Sequence, residues 1–292
     1  MDLNNYKYFE AMGADTPEKV IEKLKHVRHV ALDMDGTIYK GSTLFPFTIS
    51  FLNNLKEMGI SYSFLTNNPS KSTTDYLKHL EKMGIKADRD EMYTSAQATI
   101  DYIRHNHPDV KRIFILGTPS MIKEFEGAGF VSTADSADDR PDMVLVSFDM
   151  TLTYSRLCRA AWWIHEGLPY IATNPDKVCP TDQPNILVDC GSIYACLEKA
   201  AGRNPDVVIG KPSPRMLDGI LQSGGLQPHE IAMLGDRIYT DVKMALDAGA
   251  VGVLVLTGEA TFDDARQADQ YPDIVADSLI EFENMLRQAK AI

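Results

Sequence analysis

The chain has 292 residues, of which 44% are hydrophobic and 24% are charged, as in an ordinary globular protein. Its formal net charge of −12 argues against a nucleic acid polymer or an anionic membrane as the main partner, because both favour basic surfaces. No apolar run is long enough to span a bilayer, and residues 1–10 contain no apolar signal core. The four cysteines form no CxxC pair, so we expect free thiols and a cytoplasmic protein.

Predicted helices and strands alternate along the whole chain, which is longer than a typical single core and therefore predicts two domains, or one domain with a large insertion. The first helix begins at Thr16-Pro17 and runs to about Lys25, and later helices end at glycines such as Gly59 and Gly84. The predicted strands cover residues 30–32, 60–65, 112–116, 143–148, 170–173, 207–209, 231–234, 251–256 and the start of 274–289. Helices are predicted between them, and loops over 38–46 and 132–142. This alternation predicts an α/β fold with parallel sheets.

The first strand ends in two aspartates, Asp33 and Asp35, followed by Gly36 and Thr37. Residues i and i+2 of a strand project to the same side, so the two carboxylates face one spot. Two like charges at this distance are costly unless a cation or a shared proton relieves them. The sequence therefore indicates a divalent metal site. An ordinary Asp-Gly turn is the alternative interpretation.

Polar segments follow three further predicted strands. Taken singly, Thr66 could be a turn residue, Lys211 a surface lysine and Asp241 a charge favoured at a helix N-terminus. Four polar exits from four core strands are difficult to explain as turns alone, so we expect them to share one site at the carboxyl edge of the sheet. The four segments are residues 33–35, 66–68, 210–214 and 235–241.

The chemistry of these segments fits phosphoryl transfer onto an aspartate. They supply carboxylates for a hard cation such as Mg²⁺, and a lysine that neutralises phosphate oxygens. The sequence has no GxxxxGK[ST] run, which excludes a nucleotide P-loop.

The order of motifs DxDGT, TNN, GKP and GDxxxTD resembles the haloacid dehalogenase (HAD) superfamily of aspartyl phosphatases. The large insertion between TNN and GKP resembles that of the type II branch with a C2 cap. Residues 172–176, 208–213 and 256–258 are similar to subfamily IIA, the NagD-like and para-nitrophenyl phosphatase-like group. The resemblance implies a Rossmann-like core formed by residues 1–106 and 190–292, and a smaller α/β cap domain over residues 107–189.

The resemblance also implies a role for each matched residue. Asp33 is expected to be the nucleophile that forms a phospho-aspartate, and Asp35 the acid that protonates the leaving oxygen and then activates water. Lys211 would span the nucleophile and the phosphate, Thr66 would bind the phosphoryl group, and Asn67 would support the nucleophile.

Mg²⁺ is the implied cofactor, held by the Asp33 carboxylate, the backbone carbonyl of Asp35 and Asp236, with Asp241 as a water-mediated support. Because metal and lysine keep Asp33 ionised while Asp35 can hold a proton, two neighbouring carboxylates divide into base and acid. Asp35 also separates this chain from the dehalogenases of the superfamily, which lack an acid at that position.

The substrate is expected to be a small phosphorylated metabolite, contacted by Asn68 and, from the cap, by Asp176 in the loop 174–177. A simple turn after a strand is the alternative interpretation of that loop. Cys179 and the segment 148–150 stand where the resemblance to pyridoxal phosphatases would require a histidine and a Tyr-x-Glu. This departure disfavours pyridoxal phosphate, while a sugar phosphate, a phosphoglycolate-like acid and a nucleotide monophosphate stay open.

The adjacent tryptophans Trp162 and Trp163 lie on one predicted helix, where one is expected in the core and the other could serve a homodimer interface.

Two other functions are weighed against the phosphatase. One is a phosphotransferase or mutase of the same superfamily. The other is a receiver-like module that accepts phosphate on an aspartate without hydrolysing it, although an acid at Asp35 and a cap domain count against this.

Overall fold

The computed structural model describes Tyr8, Thr16–Cys179, Thr181 and Gln183–Ala291. Residues 1–10, for which no signal core is predicted, lie outside these ranges apart from Tyr8. No helix in the described ranges is both long and apolar enough to cross a membrane.

Fifteen short strands occur in the described chain. In order they are β1 (His29–Leu32), β2 (Tyr39–Lys40), β3 (Thr43–Leu44), β4 (Ser61–Thr66), β5 (Met92–Thr94), β6 (Arg112–Leu116), β7 (Val131–Ser132), β8 (Met143–Val146), β9 (Tyr170–Ala172), β10 (Val178–Cys179), β11 (Leu187–Val188), β12 (Val207–Val208), β13 (Ile231–Gly235), β14 (Val251–Val255) and β15 (Ile274–Ala276).

The helices confirm most of the predicted ones to within a few residues. They are α1 (Pro17–Lys25), α2 (Thr48–Glu57), α3 (Thr73–Lys82), α4 (Ser95–Asn106), α5 (Pro119–Gly127), α6 (Tyr154–His165), α7 (Cys190–Ala201), α8 (Asp218–Gly224), α9 (Lys243–Ala248), α10 (Phe262–Arg266) and α11 (Leu279–Lys290). Two predicted helices begin with irregular turns, a 3-10 turn over Pro214–Leu217 and a π turn over Ile238–Val242.

The chain divides into two compact units by its internal contacts. The first comprises the described residues up to Leu65, together with Leu77–Tyr93 and the described chain from Ile220 onward. The second comprises Thr66–Tyr76 and Thr94–Gly219. Each unit is built around a sheet of its own.

The first unit contains the six-stranded sheet, in the order β15-β14-β13-β1-β4-β5, except for the last residues of β4 and β5, Thr66 and Thr94. β1 lies between β13 and β4 and runs parallel to both, with Leu32 opposite Leu234 on one side and Phe64 on the other. Every residue of β1 and β13 is buried, as expected for a parallel strand covered on both faces. Asp33 and Asp236 therefore follow the carboxyl ends of neighbouring strands.

The second unit contains a five-stranded parallel sheet, in the order β12-β9-β8-β6-β7. Its core includes the fully buried rings of Trp163 and Tyr170, packed with residues of α7 such as Ile193. Trp163 is 1% exposed, whereas its neighbour Trp162 is 38% exposed, so one tryptophan of the pair is in the core as predicted.

The sheet assignment of β12 corrects one expectation from the sequence. β12, which precedes Gly210 and Lys211, pairs with β9 in the five-stranded sheet. The four polar segments therefore do not all leave strands of one sheet, because hydrophobic pattern alone does not identify the partner of a two-residue strand. The predicted cap, residues 107–189, contains four strands of this sheet, and the fifth lies beyond its predicted end.

Two short antiparallel hairpins were not predicted. β2 and β3 pair within the predicted loop 38–46, and β10 pairs with β11 after the loop that contains Asp176. Strands of two residues carry too little alternation to be recognised from sequence.

Candidate active site

The first unit brings three carboxylates together in what we call the acid cluster: Asp33, Asp236 and Asp241. One carboxylate oxygen of each residue lies within 4.8 Å of the others. The backbone N–H of Asp33 donates to the Leu234 carbonyl at 2.9 Å, which continues the pairing of β1 with β13 by one residue. Sheet register thus positions two of the three carboxylates.

Two glycines leave room for the Asp236 carboxylate. A Cβ atom at Gly36 would lie 2.3 Å from Asp236 Oδ2, and one at Gly258 would lie 2.0 Å from the same oxygen. Gly36 also has a φ of 85°, a conformation that other residues rarely adopt. The Glu259 backbone N–H donates to Asp236 Oδ2 at 2.8 Å. Asp236 is thus held by backbone groups that approach it too closely for any side chain to intervene.

Asp241 is positioned by the π turn that follows β13. Its Oδ2 accepts hydrogen bonds from the Arg237 N–H and the Thr240 hydroxyl, each at 3.3 Å. A Cβ at Gly235 would lie 2.3 Å from the Asp241 Cγ, so this carboxylate also packs directly against a glycine backbone.

The acid cluster suits a hard divalent cation. Three buried or half-buried carboxylates in mutual proximity repel one another, and a cation with oxygen ligands removes that cost. Asp33, Asp236 and Asp241 could hold Mg²⁺.

Asp35 lies outside the acid cluster as the described residues define it. Its side chain is exposed, and Oδ1 accepts a hydrogen bond from the Gly41 N–H at 3.0 Å, across the β2–β3 turn. The carboxylates of Asp33 and Asp35 thus have different surroundings, as an acid and a nucleophile would require.

A charged network beside the acid cluster was not predicted from the sequence. Arg237 Nε lies 2.9 Å from Glu259 Oε2, and the Tyr239 hydroxyl donates to Glu259 Oε1 at 2.7 Å. Burial, and then the hydrogen bond to Glu259, raises the pKa of Tyr239 to about 12, so the phenol stays neutral at physiological pH. The Arg-x-Tyr pattern that follows Asp236 is the feature of the sequence that could have indicated this network.

The second unit contains the other predicted site residues, which we call the amide–lysine cluster: Thr66, Asn67, Asn68, Asp176 and Lys211. The Asn67 side chain pairs with the backbone of Lys211. Asn67 Oδ1 accepts from the Lys211 N–H at 2.7 Å, and Asn67 Nδ2 donates to the Lys211 carbonyl at 2.9 Å. Asn67 Nδ2 also donates to Asp176 Oδ2 at 3.0 Å. These hydrogen bonds support Lys211, while the predicted support of the nucleophile by Asn67 stays a prediction.

Two residues extend this cluster: Asn174, which lies in the predicted contact loop 174–177, and Asp189, which was not predicted. Asn174 Nδ2 donates to Asp176 Oδ2 at 3.2 Å and to Asp189 Oδ1 at 3.1 Å. Asp189 is 2% exposed and caps α7 by accepting from the Cys190 N–H. Burial raises the pKa of Asp189 to about 6.

Asn68 and Thr66 are ordered by local turns. The Thr66 hydroxyl accepts from the Asn68 N–H at 3.2 Å, and Asn68 Oδ1 accepts from the Ser70 N–H at 2.9 Å. The Asn68 amide approaches the Cys179 sulfur at 3.5 Å. Burial raises the pKa of Cys179 to about 11, so this thiol is neutral where a histidine would be required for a pyridoxal phosphatase.

Asp149, in the segment that was compared with a Tyr-x-Glu, has a structural role. Its carboxylate is fully buried, lies 3.0 Å from Arg156 and accepts from the Thr151 N–H and hydroxyl. A carboxylate engaged in this way is not available to a substrate.

Comparison with known sequences shows the family. Residues 30–131 match the haloacid dehalogenase-like hydrolases, and residues 208–282 match a second HAD-hydrolase-like family. The acid sugar phosphatase of Staphylococcus epidermidis is 31% identical over 249 residues, which cover 85% of this chain and 94% of that protein. The chain belongs to the haloacid dehalogenase-like hydrolases.

Within this family the chain is NagD-like. The ribonucleotide monophosphatase NagD of Escherichia coli is 30% identical over 257 residues, covering 88% of this chain and 98% of that protein. The chain is thus an HAD-type phosphoric monoester hydrolase, as the motifs predict.

Two solved structures share the fold closely. The 4-nitrophenylphosphatase of Thermotoga maritima is 40% identical, with a TM-score of 0.83 over 90% of this chain and 98% of that one. The glycerol phosphate phosphatase of Mycobacterium tuberculosis, in complex with magnesium, is 29% identical, with a TM-score of 0.81 over 89% of this chain and 78% of that one. The predicted fold class is confirmed.

Proposed function

We propose that this chain is a Mg²⁺-dependent phosphatase that hydrolyses small phosphate monoesters through a phospho-aspartate on Asp33. The acid cluster is the observation that carries the proposal. It presents a carboxylate at the end of β1 beside two further carboxylates suited to a magnesium ion. The magnesium-bound structure of a relative supports the same choice of cation.

The proposed reaction has two in-line steps at phosphorus. A carboxylate oxygen of Asp33 forms a bond to phosphorus while the bond to the ester oxygen breaks, and Asp35 donates its proton to that leaving oxygen. Asp35, now ionised, accepts a proton from a water molecule that attacks phosphorus and releases phosphate from Asp33. The exposed position of Asp35 allows it to exchange with solvent and substrate.

The reaction also requires that the negative charge of the phosphoryl group be neutralised. We assign its neutralisation to Lys211, with Thr66 and Asn68 as further phosphate-binding groups. Bound Mg²⁺, held by Asp33, the Asp35 carbonyl and Asp236, with Asp241 in support, would neutralise phosphate oxygens and keep Asp33 ionised. A covalent intermediate divides a very slow hydrolysis into two easier in-line steps, which is a common reason for enzymes to form one.

The proposed substrate class is a sugar phosphate or nucleoside monophosphate. The names of the relatives support this class, and the buried Asp149 and neutral Cys179 argue against pyridoxal phosphate. The cap predicted over residues 107–189 would contact the substrate through Asp176. Relative kcat/KM values across sugar phosphates, nucleoside monophosphates, phosphoglycolate and pyridoxal phosphate would rank these choices.

Turnover of para-nitrophenyl phosphate tests the core of the proposal. We expect the protein to release nitrophenol in the presence of Mg²⁺ and to stop in excess chelator. Asp33→Asn should reduce the rate of this release by roughly 10³-fold or more. Asp109→Asn, an exposed aspartate remote in sequence from all motifs, is the matched control and should keep full activity. Turnover that survives both chelator and Asp33→Asn would contradict the proposal.

Two further measurements separate the alternatives. Phosphorylated products formed from added acceptor sugars would identify a phosphotransferase or mutase. A phospho-aspartate that persists for minutes, without turnover, would identify a receiver-like module.

Assembly and location are part of the proposal. The exposed face of Trp162 supports a homodimer, which light scattering would detect and Trp162→Glu should dissociate. The four cysteines all lie in the described ranges and form no disulfide there, which supports a cytoplasmic location.

A further inference from the structure

A network of buried and half-buried polar side chains leads from the start of α7 to the backbone of Lys211. Asp189 accepts from Asn174, Asn174 donates to Asp176, and Asp176 shares the Asn67 amide with Lys211. All of these residues belong to the second unit.

Backbone hydrogen bonds attach the loop 174–177 to the start of α7. The Gly191 N–H donates to the Asp176 carbonyl at 2.7 Å, and the Asp189 N–H donates to the Lys177 carbonyl at 3.0 Å. A Cβ at Gly191 would lie 2.2 Å from the Pro175 carbonyl oxygen, so the loop 174–177 lies directly on the first turn of α7. This loop is therefore anchored rather than merely adjacent to the helix.

Asn174 is the central member because it joins two carboxylates. It is fully buried, its Oδ1 accepts from the Thr173 hydroxyl at 2.8 Å, and its single amide nitrogen donates to Asp176 and Asp189. Removing that amide would leave Asp189 without its side-chain donor and would free Asp176 to move. Asn67, which donates to the same Asp176 oxygen, would then lose one of the contacts that orient it.

We propose that Asn174 and Asp189 are positioning residues for Lys211, acting through Asp176 and Asn67. Neither touches the phosphate in this proposal, which rests on the proposed function of Lys211. Their effect is on the orientation of the lysine, because both hydrogen-bonding groups of the Lys211 backbone are paired with Asn67.

Steady-state kinetics with para-nitrophenyl phosphate provides the test, together with a magnesium titration. We expect Asn174→Ala to lower kcat by about tenfold or more, since small errors in the position of a catalytic group are costly. The Mg²⁺ concentration for half-maximal activity should be unchanged, because the acid cluster belongs to the other unit. Asn106→Ala, which removes an exposed amide–carbonyl hydrogen bond at the end of α4, should behave as wild type.

Asp189 provides an independent pair of variants should Asn174→Ala fail to fold. Asp189→Asn retains an oxygen that can accept from Asn174 and from the Cys190 N–H, so it should keep kcat within about twofold. Asp189→Ala removes that oxygen and should show the same loss as Asn174→Ala, measured per folded molecule well below its melting temperature.

Three outcomes would overturn the inference. They are wild-type kcat in folded Asn174→Ala, equal activity of Asp189→Ala and Asp189→Asn, or a loss of activity in which the half-maximal Mg²⁺ concentration also shifts. Failure of the proposed function looks different, because the wild-type chain itself would then show no Mg²⁺-dependent turnover.

Discussion

The acid cluster of the first unit and the amide–lysine cluster of the second are positioned by different means. Asp33 and Asp236 follow paired strands, and glycine backbone lies directly against the Asp236 carboxylate. Lys211 follows the two-residue strand β12, and its backbone is held by a side chain, Asn67. The first arrangement depends on main-chain geometry and the second on hydrogen-bonding partners.

This difference has a consequence for substitution. Where backbone and carboxylate are in contact, even one added methyl group must displace an atom, so the response should be abrupt. Where hydrogen-bonded amides and carboxylates position a catalytic group, a variant that conserves the donors and acceptors can retain function. The following predictions separate the two responses.

Among the substitutions that separate these two responses, the largest effect is expected for Gly258→Ala. The new Cβ would lie 2.0 Å from Asp236 Oδ2, so the carboxylate must move and the cation affinity must fall. We expect activity at fixed Mg²⁺ to fall by about 100-fold, on the order of the loss seen when metal-site supports are removed, with partial recovery at high Mg²⁺. Gly127→Ala, where a Cβ meets nothing within 4 Å, is the control. If Gly258→Ala showed the same magnesium dependence as the wild type, close contact with the glycine backbone would not be what positions the Asp236 carboxylate.

A smaller effect is expected for Asn67→Asp, which keeps the shape of the side chain. The acceptor for the Lys211 N–H is retained, while a carboxylate oxygen replaces the donor to Asp176 and to the Lys211 carbonyl. We expect kcat to fall by roughly tenfold to 100-fold, corresponding to the cost of unsatisfied buried groups. Kinetic assays against Asn106→Asp would check this, and equal kcat values would show that Lys211 does not need the Asn67 donor.

Stability at acidic pH should respond in opposite directions in the two units. Burial raises the pKa of Asp189 from 3.8 to about 6, so its contribution to stability is present below pH 4 and lost as pH rises through 6. Burial lowers the pKa of His29 from 6.5 to about 4, so its contribution is present above pH 6.5 and lost as pH falls through 4. Each shift corresponds to about 3 kcal/mol at most.

Denaturant unfolding between pH 4 and 7 would separate these contributions. Asp189→Asn should make the free energy of unfolding rise more steeply with pH, and His29→Asn should make it rise less. Parallel profiles for the two variants would contradict this assignment.

The smallest effect is expected for Tyr239→Phe. The lost hydrogen bond to Glu259 is exposed, so it should contribute no more than about 1 kcal/mol, and kcat/KM should change by less than about fivefold. Arg237→Met, which removes the ion pair with Glu259 beside the acid cluster, should cost more. If Tyr239→Phe were the more damaging variant in the same assay, the phenol would have a role beyond this network.

The sequence was informative where local pattern determines the geometry. The apolar run before Asp33 predicted a buried strand, and placing Asp33 and Asp236 at strand ends was sufficient to predict their proximity. The partner of β12 and the hairpin of β10 with β11 were not predictable, because two-residue strands have no usable periodicity.

Asp189 and the hydrogen bonds of Asn174 were missed for a different physical reason. The sequence does not distinguish a buried Asn or Asp from an exposed one in a turn, because burial depends on tertiary packing. The loop 174–177 was recognised as a candidate for substrate contact, but its attachment to α7 depends on a close approach of Gly191 to the Pro175 carbonyl. No spacing rule predicts such an approach.

The pairing of β1 with β13 has a consequence during synthesis of the protein. Asp33 leaves the ribosome before its strand neighbour, which begins at Ile231, and before residue 258, the glycine that packs on Asp236. A nascent chain therefore contains the proposed nucleophile long before it contains the remaining carboxylates. The proposed cation site cannot form before residue 258 has been translated, so products truncated before that residue should be inert.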